Sequence, residues 1–219
     1  MNFNPYPIHR DQWCHEPTKK QFVVWHGTGG RTRDTPASGR PGRATTSIDA
    51  WSANAARVGA PYLVDRDGTT YQTFDDTGWI YHLGLKGTSG RYDRASVAIE
   101  FANELALTLD GDSLYAFGMI TPGTRYRGLH IATEWRGHQY FAELDEAQVA
   151  AGIELTLDIC RRHDIQPTFY YPSTTFDFPR CFQVATIVCH SNCRADQADL
   201  FLPDWVYQRI EAAGIRLVS

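Results

Sequence analysis

Four short apolar runs constrain this chain more than any other feature: QFVVW (21–25), PYLV (61–64), SVAIEF (96–101) and VATIVC (184–189). Rich in β-branched residues and bounded by polar or turn-forming sequence, they read as short buried strands. Helical patterns stand between them. In SIDAWSANAARV (47–58), Ile48, Trp51, Ala55 and Val58 recur at helical spacing, with Ser47 as the predicted N-cap. Asp145 opens a second helix with Gln148 as capping-box partner. Val149, Ile153, Leu157 and Cys160 line one face of it, and Arg161, Arg162 and His163 suit its C-terminal dipole. A third helix, PDWVYQRIEAAG, has Pro203 near its start and Gly214 past its end. Asp67-Gly68 joins PYLV to TYQTF as a hairpin turn. Strands and helices intermix, which predicts an α/β fold with a mixed central β-sheet flanked by helices.

The 219 residues, 42% of them hydrophobic, suffice for one domain with a core that needs no staples. Residues 1–20 precede the first strand as an N-terminal extension. Residues 104–140, irregular and aromatic with no clear period, read as an insertion rather than a second domain. Its Tyr115, Phe117, Tyr126, Trp135 and Tyr140 suit packing on sugar rings, contact with a delivery partner, or a cover for the core. Cys14, Cys160, Cys181, Cys189 and Cys193 are odd in number and irregularly spaced, so they read as reduced thiols rather than a disulfide framework. With 21 Lys+Arg against 25 Asp+Glu, a net charge of −4, the chain has no basic field to hold nucleic acid. No apolar run approaches the roughly 18–20 residues of a membrane span. The opening MNFNPYPIHRDQWCHEP holds no signal-peptide stretch, so the expectation is synthesis in the cytoplasm.

Two of the apolar runs end at a histidine, His26 and His190, and Asp199 follows on a loop free to fold back. Two imidazoles and one carboxylate are the makeup of a three-ligand zinc site with an open fourth position. Spacing alone does not bring the two histidines together; each also reads as an ordinary strand-end polar residue.

The chain resembles the zinc-dependent type 2 N-acetylmuramoyl-L-alanine amidases, which share their fold with peptidoglycan recognition proteins and phage amidase lysins. The resemblance rests on VVWHGT (23–28), APYLVDRDGTTYQ (60–72), WIYHLG (79–84), SVAIEFAN (96–103) and IVCHSNC (187–193) through Asp199, in the family's order. It implies an amidase-like single domain binding Zn2+ through His26, His190 and Asp199, with peptidoglycan or a muropeptide as substrate. It implies Glu100 as catalytic base and His82 as a residue lining the substrate cleft. Three places depart from the family's pattern. Gln197 stands where the family carries a lysine beside the developing oxyanion, so it becomes the candidate substrate contact. Ala60-Pro61 replaces a His and Tyr pair, and Leu200-Phe201 replaces Pro-Gly. The last change leaves Asp196 as a rival third ligand.

Zinc would supply an activated nucleophile and a charge partner for the oxyanion, while Glu100 would move the proton to the leaving nitrogen. Two other readings stay open. One is a module of this fold that binds peptidoglycan without cutting it, which Gln197 favours. The other is a thiol hydrolase using Cys189 or Cys193. The setting is open too: action on the cell wall after release or delivery, with an unidentified delivery or immunity partner, or action on cytoplasmic muropeptides.

Overall fold

A computed structural model describes residues 3–29, 45–53, 56–116 and 124–219. The chain opens with β1 (Asn4–Pro5), β2 (Phe22–Gly27), α1 (Thr45–Ala53), β3 (Tyr62–Val64), β4 (Thr70–Gln72), α2 (Arg91–Ala95) and β5 (Ser96–Phe101). Then come β6 (Ala106–Asp110), β7 (Ser113–Ala116), β8 (Thr124–Tyr126), β9 (His130–Trp135) and β10 (His138–Ala142). The last part holds α3 (Glu146–Arg162), β11 (Thr168–Tyr170), α4 (Cys181–Val184), β12 (Ile187–Cys189), α5 (His190–Cys193), α6 (Asp204–Ala212) and β13 (Arg216–Val218).

Eight of the described strands form the central sheet in the order β1-β4-β3-β5-β2-β12-β11-β13. It is mixed: β3 and β4 pair antiparallel as the Asp67-Gly68 hairpin, while β3, β5, β2, β12, β11 and β13 run parallel. Parallel strands are covered on both faces, which explains their near-continuous apolar sequences. On one face Val23, Trp25, Val97, Ile99, Phe101 and Cys189 pack beneath α3 and α6. Trp25 anchors that layer, donating from its indole Nε1 to Thr156 on α3 at 2.9 Å. Gly152 lets α3 approach closely, since a Cβ there would lie 2.3 Å from the Phe101 ring. On the other face Val24, Val188 and Leu83 pack with Phe182 of α4, while Leu63 packs with Ile48 of α1. The N-terminal segment lies on the sheet: β1 pairs parallel with β4, Ile8 is buried, and Trp13 stacks on Phe74.

Several elements differ from the sequence expectation. The described part of 104–140 is not irregular: with the end of β10 it forms the five-stranded antiparallel sheet β8-β7-β6-β10-β9. Its β9–β10 hairpin turns on Arg136 (φ 49°) and Gly137 (φ 78°), consecutive left-handed residues that make a tight turn. Phe117 lies outside the described residues. α1 starts at Thr45, so Ser47 is inside the helix, and it ends before Val58, which is 42% exposed and forms an isolated bridge to Tyr81. Ala55 is outside the described residues. The capping box at Asp145 does not form. Asp145 instead accepts from Arg66 at 3.0 Å, and Gln148 is buried, donating to the Val64 and Ala102 carbonyls. Tertiary partners outcompete the local cap. The last apolar run divides, Val184 ending α4 and only Ile187–Cys189 forming a strand.

Candidate active site

Strand alternation sets where the site lies. Val24 and Val188 belong to one face of the sheet, and Trp25 and Cys189, which pair in register, to the other. The next residue in each segment, His26 within β2 and His190 just past β12, therefore returns to the Val24 side at the same level. Their rings are 4.5 Å apart, although His190 is not in the strand but opens the one-turn helix α5. Asp199, nine residues on, folds back so that the donor atoms of His26, His190 and Asp199 all lie within 4.8 Å of one another. All three residues are buried.

Each donor is oriented from behind. Leu83 offers its carbonyl to His190 Nε2 at 3.0 Å, and a carbonyl only accepts, so Nε2 carries the proton and Nδ1 turns its lone pair inward. Ser96 Oγ donates to the Tyr92 carbonyl at 2.6 Å and so accepts from His82 Nε2 at 2.8 Å. His82 Nδ1 is then an acceptor for His26 Nε2 at 2.9 Å, which leaves His26 Nδ1 facing the site. Asp93 of α2 holds this segment, accepting from the His82 and Leu83 backbone amides. Asp199 Oδ1 is taken by the amides of Gly27, at 2.7 Å, and Leu200, at 3.3 Å. Its Oδ2 lies 2.9 Å from His190 Nδ1 and 3.5 Å from His26 Nδ1.

Three acceptor atoms thus converge, and a cation must sit among them, a proton on one ring or a metal ion. The donor set fits a divalent metal: two neutral imidazoles and one carboxylate, each with its far atom occupied. Burial, and after it the neighbouring His190, pushes His26 below the ordinary histidine value. Burial alone would raise Asp199, but hydrogen bonding to His190 and His26 outweighs it and keeps the carboxyl ionised.

Glu100 pairs in register with His26 across β2 and β5, so it stands beside that ring on the same face. Its Oε2 is buried, with no hydrogen-bond partner among the described residues. Burial, reinforced by the Asp199 charge, pushes its carboxyl well above the ordinary value.

Residues 16–199 match the family model described as N-acetylmuramoyl-L-alanine amidase (Amidase_2). The chain belongs to this amidase family. No curated protein matches it in sequence. Among solved structures, PlyL is similar at TM-score 0.50 and 12% identity, over 98% of this chain and 91% of that one. A mutant endolysin from Bacillus subtilis is similar at TM-score 0.50 and 13% identity, over 97% and 96%. The amidase AmiD from E. coli, solved with the substrate anhydro-N-acetylmuramic acid-L-Ala-D-gamma-Glu-L-Lys, is similar at TM-score 0.50 and 17% identity. That match covers 92% of this chain and 60% of AmiD. At these identities the likeness is one of fold.

Against the amidase pattern, the remaining predicted residues fall into place differently. Asp196 is exposed and held by Arg194, through Nε to Oδ1 at 2.9 Å, away from the histidine pair's donor set. His82 does not stand free on a cleft wall, because both its ring nitrogens are engaged, with His26 and Ser96. Gln197 lies half-buried on the loop between His190 and Asp199, and its carbonyl accepts from Arg136. Burial pushes the Cys189 and Cys193 thiols well above their ordinary value, the opposite of what a thiolate nucleophile requires. Sequence inspection missed Ser96, Asp93, the Gly27 amide and the Leu83 carbonyl. Backbone groups carry no sequence signal, and Ser96 looked like an ordinary strand residue.

Proposed function

We propose that this chain is a zinc-dependent hydrolase that cleaves the amide between N-acetylmuramic acid and L-alanine in peptidoglycan or muropeptides. The observation that carries the proposal is the convergence of His26 Nδ1, His190 Nδ1 and Asp199 Oδ2, with the opposite atom of each held by the fold. Zinc held there would supply Lewis acidity toward the scissile carbonyl and the attacking water. Glu100 takes the water's proton and returns it to the leaving L-alanine nitrogen, a role that suits a buried carboxyl whose proton affinity is raised. His82 and Ser96 keep the His26 ring in one tautomer. Gln197 offers the substrate a dipolar hydrogen bond from the loop between the second and third ligands.

Mass spectrometry of digested peptidoglycan tests the reading directly. The expected products are peptides with a free L-alanine amino terminus and glycans with a free lactyl carboxyl group. Activity should vanish with a chelator and return with about one zinc per chain. Retention on peptidoglycan without any cleavage by the zinc-loaded protein would instead make this a non-catalytic binding module. Among the described residues no helix is long and apolar enough to cross a membrane. We propose action on the wall after release or delivery, or on muropeptides in the cytoplasm.

A further inference from the structure

The five-stranded sheet reaches the ligand loop through one side chain. Arg136, at the tip of the β9–β10 hairpin, places its guanidinium among the carbonyls of the segment that links His190 to Asp199. Nη2 donates to Ser191 O at 2.7 Å, and Nη1 donates to Arg194 O at 2.8 Å and to Gln197 O. One planar fork therefore ties three carbonyls between the two ligands. The first of them belongs to α5, whose single turn leaves its C-terminal carbonyls without helical partners.

The arm that delivers this group is itself fixed. Arg136 holds a left-handed φ of 49°, a conformation that a non-glycine residue rarely adopts. Its guanidinium stacks over the Trp135 ring at 4.8 Å. Trp135 donates from Nε1 to the Thr174 carbonyl at 3.1 Å and packs against Phe201, two residues beyond Asp199, with ring centres 5.8 Å apart. Phe141 of β10 stacks on the same Phe201 ring at 5.4 Å. The hairpin thus grips the ligand loop at its middle and just past its end.

We infer that Arg136 is a positioning residue for the metal centre: it fixes the loop that carries Asp199 relative to His190. The inserted sheet is on this view part of the site. The inference rests on the metal reading given above. A role through charge alone has the opposite sign, because a guanidinium near Asp199 repels a divalent cation and its loss would tighten binding. Loss of a clamp loosens it.

The test compares wild type with Arg136→Gln and Arg136→Lys, using zinc competition against a chromophoric chelator, amide hydrogen exchange of the metal-free proteins, and thermal melting. Arg136→Gln should weaken zinc affinity by about 10- to 100-fold, as loss of a supporting partner does at metal sites. Exchange should accelerate across residues 191–199, with melting nearly unchanged. Arg136→Lys keeps the charge but cannot span three carbonyls, so its zinc affinity should fall between the two. It also serves if the glutamine variant does not fold. Wild-type or tighter zinc binding in both variants, with loop exchange unchanged, overturns the inference. If wild type itself takes up no zinc, the metal reading fails, and exchange in the metal-free proteins still decides. Acceleration confined to 191–199 supports the clamp, and no change removes it.

Discussion

The two sheets are built on different terms. The central sheet is covered on both faces, and its β2 and β5 are apolar almost throughout; Val23, Val24, Trp25, Val97, Ala98 and Ile99 are all essentially inaccessible. In the five-stranded sheet β9 alternates exposed and half-buried residues from His130 to Trp135, and Leu109 of β6 is 48% exposed. The first derives its order from burial on both faces, the second from strand pairing, from a small buried cluster of Leu107, Ala116, Tyr126 and Ala142, and from aromatic and guanidinium contacts at its hairpin tip. The difference teaches where each can tolerate change. The central sheet carries His26 on β2, and change along its buried β2 and β5 should be costly, whereas the five-stranded sheet should matter at its tip and its small buried cluster and little along its open face.

The largest effect that would sharpen this contrast is expected at Asp199. Asp199→Ala should abolish zinc binding and reduce peptidoglycan cleavage to background, while Asp196→Ala retains both; metal analysis with a turbidity assay reads the outcome. Zinc loss in the Asp196 variant alone would break the assignment of the third donor. Glu100→Gln comes next. It keeps the shape and should keep the metal, yet should lower turnover by about 10²- to 10⁴-fold, the usual contribution of proton transfer. Near wild-type turnover would make Glu100 structural.

Stability effects are smaller. Asp76 is buried and accepts from Arg162 at 2.7 Å and from Tyr62 at 3.1 Å, with His163 Nε2 3.3 Å away. Burial would raise its carboxyl, but His163 and Arg162 outweigh this and lower it below 3.8. A carboxylate lowered by folding contributes stability that is present above its unfolded value and lost as pH falls through its folded one. Asp76→Asn should therefore be less stable than wild type at neutral pH. The gap should close only as pH drops below 3.8, measured by denaturant melts across pH. The neutral-pH loss should fall short of the about 3–5 kcal/mol of a fully broken buried pair, because Arg162 keeps Asp158.

The smallest effects test the sheets side by side. Gly152→Ala gains about 0.5–1 kcal/mol of helix propensity, but its Cβ would press on the buried Phe101 ring at 2.3 Å. Overpacking costs about 1–3 kcal/mol, so the variant should be destabilised overall. Leu109→Thr on the open face should change stability by no more than about 0.5 kcal/mol. Equal losses in the two variants would erase the distinction between the sheets.

Legibility followed the same divide. SVAIEF became β5 at the expected bounds, and Asp67-Gly68 turned the expected hairpin, because burial on both faces and tight-turn chemistry each leave local marks. The five-stranded sheet escaped notice because its strands mix Thr, His, Tyr and Arg with apolar residues, so no single period stands out. Asp110-Gly111 at the β6–β7 hairpin and the Trp135-Arg136-Gly137 turn were local signals available there, and only the structure shows what Arg136 reaches.

By itself the sequence determined the α/β class and the main strands, and it offered candidates for the site: two histidines at the ends of apolar runs, Asp199 and its rival Asp196 past the second, and Glu100 through the family resemblance. Tertiary structure decided which of them meet. Register brings His26 beside Glu100 and Trp25 beside Cys189, and the return of the loop through the Gly27 amide and the Arg136 fork selects Asp199 over Asp196. It also decided which ring nitrogen faces the site, through Leu83, His82 and Ser96. The physical reason is range: burial and turn chemistry act over a few neighbouring residues. Orienting an imidazole or closing a loop also depends on hydrogen bonds between groups far apart in the chain, such as His26 with His82, 56 residues apart, and Gly27 with Asp199, 172 apart.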